Sequence, residues 1–148
     1  MKRIKVFVCL LLLVQAILLP GCSLTSYRDG VYTAQAAEFS SSGWKETLEL
    51  TIKHGKIAKI NWDAIYKDDS IPIRKKQYSK SGLYGMLAGG ANNEWYDQAV
   101  AAEQFIIENG PGALALTDDG HTDAVAGCSI SVSELDRLLA DCLKQAQK

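Results

Sequence analysis

The chain has 148 residues, with 16 basic and 17 acidic side chains and a formal net charge of −1. That length fits one domain with a sizeable core. The near-neutral balance excludes a nucleic-acid binder, which carries a basic face. Four cysteines are present, and they do not read as a disulfide framework.

Taken from its start, the chain opens with a positive segment, Lys2, Arg3 and Lys5. Residues 6–19 are apolar apart from Gln15, which is short for a membrane span and right for a signal h-region. Leu19-Pro20-Gly21-Cys22 follows. This resembles the bacterial lipobox, in which the Cys thiol receives diacylglycerol and cleavage leaves that Cys as the first residue. The resemblance implies a signal peptide over 1–21, a lipidated tether over 22–28 and one domain over 29–148. It places the protein at a bacterial cell envelope, held through the lipid on Cys22 to the extracytoplasmic side of a membrane. Removing Lys2, Arg3 and Lys5 leaves 13 basic against 17 acidic side chains in the mature chain.

Asp29-Gly30 opens a strand over residues 31–36, and 40–43 (Ser-Ser-Ser-Gly) is turn chemistry. From Trp44 the chain alternates, with Leu48, Leu50 and Ile52 on one face and Thr47, Glu49, Thr51 and Lys53 on the other. His54-Gly55 then makes a tight turn into a second strand over 56–62, whose apolar Ile57 and Ile60 alternate imperfectly. Residues 67–80 are polar and read as a surface loop, and 81–90 as a Gly-rich connector.

Asn92 or Asn93 predicts the cap of a helix running to about Asn109, with Trp95, Ala99, Ala102, Phe105 and Ile106 inward. Gly110 and Pro111 stop it. Residues 112–117 are apolar enough for a further strand, and 118–121 form a turn. Ser131 and Glu134 fit a capping box for a last helix with Leu135, Leu138, Leu139, Cys142 and Leu143 on one stripe. Strands first and helices later predict an α+β fold, a mainly antiparallel sheet with a hairpin, packed by two or three helices.

Gly127, Cys128, Ser129 and Ser131 thus precede a helix N-terminus, where backbone N–H groups and the dipole favour an anion. A plain turn and N-cap account for the same residues. Asp123, Ala126, Gly127, Cys128 and Ser129 resemble the C-terminal motif of FMN-binding domains. There an Asp, two spacers, a hydroxyl residue, Gly, Ala and a final Thr or Ser hold a flavin phosphate. Ala126 and Cys128 depart from that pattern. Residues 27–34, Gly43-Trp44-Lys45 and the hairpin 50–57 also resemble the small lipoprotein branch of that family, in the same order.

The resemblance implies a membrane-anchored FMN carrier of electrons, with an unidentified redox partner. Ser129 would hold the phosphate, or bear FMN through a phosphoester installed by a flavin transferase. Gly127 and Cys128 would give close backbone approach, Asp123 would bond to the loop, and Ser131 would cap the helix. Trp44, at the family's Gly-Trp position, either stacks on the flavin ring or packs in the core. The departures keep open a second reading, a flavin-free surface lipoprotein acting as a binding or structural module.

Other candidates carry less. His54 and His121 show no metal-ligand spacing. Cys128 near a helix N-terminus is a candidate for a lowered thiol pKa, with His121 as the only plausible base. Cys128 and Cys142 are expected to be free thiols, held apart by the helix between them.

Overall fold

The computed structural model describes residues 27–147. The signal segment, the lipobox and Cys22 lie outside the described residues. Three strands, β1 (Gly30–Gln35), β2 (Trp44–Lys53) and β3 (Lys56–Tyr66), form an antiparallel sheet in the order β1-β2-β3. Three helices follow: α1 (Lys75–Lys80), α2 (Trp95–Asn109) and α3 (Ser133–Ala146). The expected α+β architecture is what the chain adopts.

The alternation along β2 does what it predicts. Leu48, Leu50 and Ile52 are buried under the helices, with Ile60 and Trp62 beside them from β3. β2 pairs with β1 from Gly30 opposite Ile52 to Gln35 opposite Thr47. The imperfect alternation of β3 has a cause in the register. Ile57 lies opposite Ile52, but Lys59 lies opposite Thr51, so Ala58 is an extra residue. Such a bulge resets the two-residue period and turns both Ile57 and Ile60 inward.

α3 covers β1 and β2 with Leu135, Leu138, Leu139, Cys142 and Leu143, all buried. α2 packs along β3 through Trp95, Ala99, Ala102 and Ile106. Each large apolar side chain so buried contributes on the order of 2 kcal/mol. The free thiols are as expected, with Cys142 buried in that stripe and Cys128 half-buried.

Four local expectations change. Residues 75–80 form α1 rather than surface loop. No apolar period marks this helix, because it is held from outside. The Asp63 carboxylate accepts the Lys76 N–H at 2.9 Å, and Lys75 and Ser79 are buried. The cap of α2 is not Asn92 or Asn93. Glu94 occupies the N-cap position, and Ser79 Oγ of α1 accepts the Tyr96 N–H at 2.8 Å. Residues 112–117 are not a strand. Gly112 and Ala115 both take positive φ, which breaks any extended run. Finally, Ser131 and Glu134 do not form a capping box. Val132 is the N-cap of α3, Ser131 Oγ donates to the Gly120 carbonyl at 3.2 Å, and Glu134 pairs with Arg137 at 2.6 Å.

Candidate functional site

The domain has two poles. At one, Tyr27 lies against the β2–β3 turn and the end of α2, since Tyr27, Gly55, Lys56, Asn109 and Gly110 line one cavity of about 340 Å³. At the other lie the N-termini of α2 and α3, the start of β2 and the loop 118–132. α2 alone separates them by roughly 20 Å, at 1.5 Å per residue.

The loop 118–132 carries five of the six candidate binding residues. Its framework is polar and mostly internal. Thr122 is buried, donates to the Leu114 carbonyl and accepts the Ala124 N–H at 3.1 Å. Val125 anchors the loop in the core, and the Cys128 N–H closes a turn onto its carbonyl at 3.1 Å. At the loop's end the Val132 N–H donates to the Gly120 carbonyl at 2.8 Å. Gly120 must stay bare there, because a Cβ would lie 2.8 Å from Ser131 Oγ. Gly127 takes φ +75°, and a Cβ on it would meet Asn93 Nδ2 at 2.9 Å.

Gln98 of α2 decides how the loop presents Ser129. Its side chain is 2 % exposed. Oε1 accepts the N–H groups of Ser129 at 2.7 Å and Ile130 at 3.2 Å, and lies 3.3 Å from Ser129 Oγ. Nε2 donates to the Asn93 carbonyl at 3.0 Å. One buried amide therefore fixes the loop to the first turn of α2 and leaves Ser129 exposed on a rigid backbone. The sequence held a signal for it, a polar residue on the inward stripe between Trp95 and Ala99. Asp123 is exposed and makes no hydrogen bond among the described residues, so Thr122 does the holding expected of Asp123.

Trp44 sits elsewhere at the same pole. It is 4 % exposed and packs edge-on to Tyr66 with centroids 5.1 Å apart, with Tyr78 and Tyr84 at 5.7 and 6.4 Å. It also walls a cleft of about 380 Å³ with Phe39, Glu46, Glu134 and Arg137, so β2 and the first turns of α3 share one opening.

Behind it lies a buried cation that no sequence pattern announces. Lys75 is 5 % exposed, with its ammonium 4.2 Å from the Trp95 ring and 5.2 Å from that of Tyr84. Burial lowers it to about 8, against the pull of Glu46 and Asp63. Between pH 8 and 10.5 the unfolded chain then holds more protons than the folded one, so stability from this group rises with pH. Below pH 8 its full cost stands, on the order of 3 kcal/mol for a fall from 10.5 to about 8. Burial pushes the Cys142 thiol up to about 11, so that group loses stability above its ordinary value of 9. Lys75→Met is accordingly expected to be more stable than the parent at pH 7, and its advantage should shrink by about 3 kcal/mol by pH 10.5. Urea unfolding at both pH values checks this, and a difference independent of pH refutes it.

Burial also raises the Cys128 thiol, which corrects the expectation of a lowered value. Its Sγ lies 4.0 Å from the Ile130 carbonyl, on the core side of the loop. His121 Nδ1 lies 3.1 Å from Asp119, and the Thr117 hydroxyl, before that histidine, lowers this carboxyl to about 2. Among the described residues no three of His, Cys, Asp or Glu gather as metal ligands.

A three-stranded sheet with helices on one face and a glycine loop at one pole defines a small α+β domain. The chain resembles the 15 kDa lipoprotein of Treponema pallidum (strain Nichols), with 26 % identity over 147 residues, 99 % of this chain and 92 % of that protein. It superposes on the solution NMR structure of a Clostridium thermocellum protein with a TM-score of 0.60 and 37 % identity, covering 81 % of this chain and 92 % of the other. At that identity and coverage the chain belongs to the same family as the Clostridium thermocellum protein. A crystal structure of a Clostridium perfringens protein shares the fold, with a TM-score of 0.58, 20 % identity and coverage of 81 % and 88 %. No family profile matches the chain.

Proposed function

We propose that this is a lipoprotein, anchored through Cys22 at a bacterial cell envelope, that binds FMN at the loop 118–132 and carries electrons. One observation supports the site above all. The loop holds Ser129 exposed on a backbone locked by Gln98, beside Gly127, whose carbonyl accepts Asn93 Nδ2 at 3.3 Å, and ahead of a helix whose N-cap, Val132, offers no acceptor to its first N–H groups. A phosphate at Ser129 would have to draw the Ser129 hydroxyl away from Gln98 Oε1, to which it donates at 3.3 Å, and would sit four residues ahead of the positive end of α3. The lipoprotein name of the Treponema pallidum relative and the lipobox support the anchor. No helix among the described residues is long and apolar enough to cross a membrane.

Bound flavin would supply one- or two-electron chemistry, and this chain's residues would place it. Ser129 and Gly127 would hold the phosphate end. The cleft beside Trp44 and Arg137 is where an aromatic ring system finds an apolar wall at the same pole. A phosphoester through Ser129 Oγ is the covalent form of the same reading; a flavin transferase would install it by breaking the phosphoanhydride of an activated flavin nucleotide, whose other phosphate leaves as the hydroxyl loses its proton.

One observation favours the flavin-free alternative. Gln98 Oε1 already accepts the Ser129 and Ile130 N–H groups, so a phosphate gains no donors from them. A single titration separates the two. Purified mature protein is expected to turn yellow with FMN and to quench its tryptophan emission. Ser129→Ala is expected to weaken uptake roughly tenfold or more, the worth of one hydrogen bond to a charged group. A colourless protein that takes up no FMN sinks the first reading, and an intact mass without an FMN adduct at Ser129 sinks the covalent form.

A further inference from the structure

We infer that the pole at Tyr27 is a lipid-facing surface, which rests against anionic phospholipid headgroups. This deepens the anchored reading above and rests on it. Cys22 precedes Tyr27 by five residues, and fully extended these span at most about 18 Å. The pole that carries Tyr27 is therefore held within that distance of the bilayer, and the loop 118–132 lies at the opposite pole.

The chemistry of the pole fits such a surface. Tyr27 N–H approaches the Gly55 carbonyl at 3.4 Å, and Arg28 N–H donates to the Ala146 carbonyl at 2.8 Å. Arg28 Nη2 reaches the Gln145 carbonyl at 3.0 Å, and the Asp29 carboxylate accepts the His54 and Gly55 N–H groups at 2.9 and 2.8 Å. These bonds tie the tether's exit to the β2–β3 turn and the end of α3. Four exposed cations surround that exit: Arg28, Lys53, Lys56 and Lys144. The acidic side chains near it among the described residues are Asp29, engaged with the turn, Glu108, and Asp141, which pairs with Arg137 at 2.9 Å. The mature chain carries 17 acidic against 13 basic residues, so cations dominate here on a chain that is acidic as a whole. Exposed cations at an anionic leaflet add attraction residue by residue within a Debye length.

The test uses the lipidated protein on phosphatidylcholine vesicles with and without phosphatidylglycerol. A water-soluble amine reagent followed by mass spectrometry reads each lysine. Lys53, Lys56 and Lys144 are expected to label several-fold more slowly on the anionic vesicles, with the protection lost at high salt. Lys67 and Lys80 at the other pole are expected to label equally on both. Equal labelling at both poles, or protection of Lys67 and Lys80, overturns the proposal.

Flotation of the full mature chain carrying Cys22→Ser separates docking from anchoring. Binding to anionic vesicles that falls roughly fivefold for each of Lys53→Gln and Lys56→Gln supports the surface even if Cys22 proves to bear no lipid. Binding that ignores both changes refutes it even if Cys22 is lipidated.

Discussion

Glu103→Ala should cost about 3–5 kcal/mol, the expected penalty for breaking a buried charge pair from one side. Glu103 projects from α2 to the outer edge of β3, where it is 6 % exposed. Its Oε1 accepts the Trp62 N–H at 2.5 Å and the Lys76 ammonium at 2.6 Å. Lys76 also donates to Asn61 Oδ1 at 3.0 Å. One carboxylate thus closes an edge-strand N–H and fastens α1 to α2. Alanine leaves the Trp62 N–H without an acceptor and the Lys76 ammonium without its counter-charge, held by Asn61 Oδ1 alone. Burial raises the Glu103 carboxyl despite the neighbouring Lys76 ammonium. Glu103→Gln keeps an acceptor for the N–H and should cost clearly less than alanine. Urea denaturation of the three proteins at pH 7 checks the order, and equal losses for the two variants would show that the edge bond carries nothing.

Gln98→Leu should cost about 2–4 kcal/mol, since two backbone N–H groups lose their shared acceptor and a buried amide leaves. The loss should be local first. Hydrogen exchange at Ser129 and Ile130 is expected to speed up by orders of magnitude, while exchange in β2 follows only the global stability. Gln98→Glu is the sharper probe. It keeps an oxygen in place for the Ser129 and Ile130 N–H groups, gives up the Nε2 bond to the Asn93 carbonyl, and sets a negative charge against Ser129. If that loop holds a phosphate, the Gln98→Glu protein should retain its exchange protection and lose FMN. Retained FMN affinity in a folded Gln98→Glu protein would remove the loop from the site.

Much of the fold was legible because it follows simple periods. Leu48, Leu50 and Ile52 alternate, so β2 and its buried face were readable, and the stripe from Leu135 to Leu143 gave α3. What failed was held by tertiary contacts. α1 has six residues and no apolar stripe, and it exists because Asp63 and Ser79 tie it to β3 and α2. The same exchange explains the missed cap, since Ser79 serves α2 from a different helix. The bulge at Ala58 hid in plain sight as two isoleucines three residues apart.

The candidate site divides in the same way. The exposed serine and the glycine of positive φ were readable from residue type. Gln98, Thr122 and Lys75, which hold or flank them, were not singled out. Each is a polar residue buried by partners distant in sequence, and local pattern does not record such partners.

The aromatic end of the core also has an optical consequence. All three tryptophans, Trp44, Trp62 and Trp95, are buried, and Trp62 and Trp95 lie with ring centroids 5.0 Å apart. Trp62 Nε1 donates to Glu46, and the Lys75 ammonium sits over Trp95. Emission should therefore be blue-shifted in the native protein and polarised by two nearby charges. The indoles cluster around the start of β2 and the first turn of α2, and the pole at Tyr27 carries none. Tryptophan emission, excited beyond the tyrosine band, is thus a spatially selective signal, sensitive to events at the loop pole and nearly blind to whatever touches the other end.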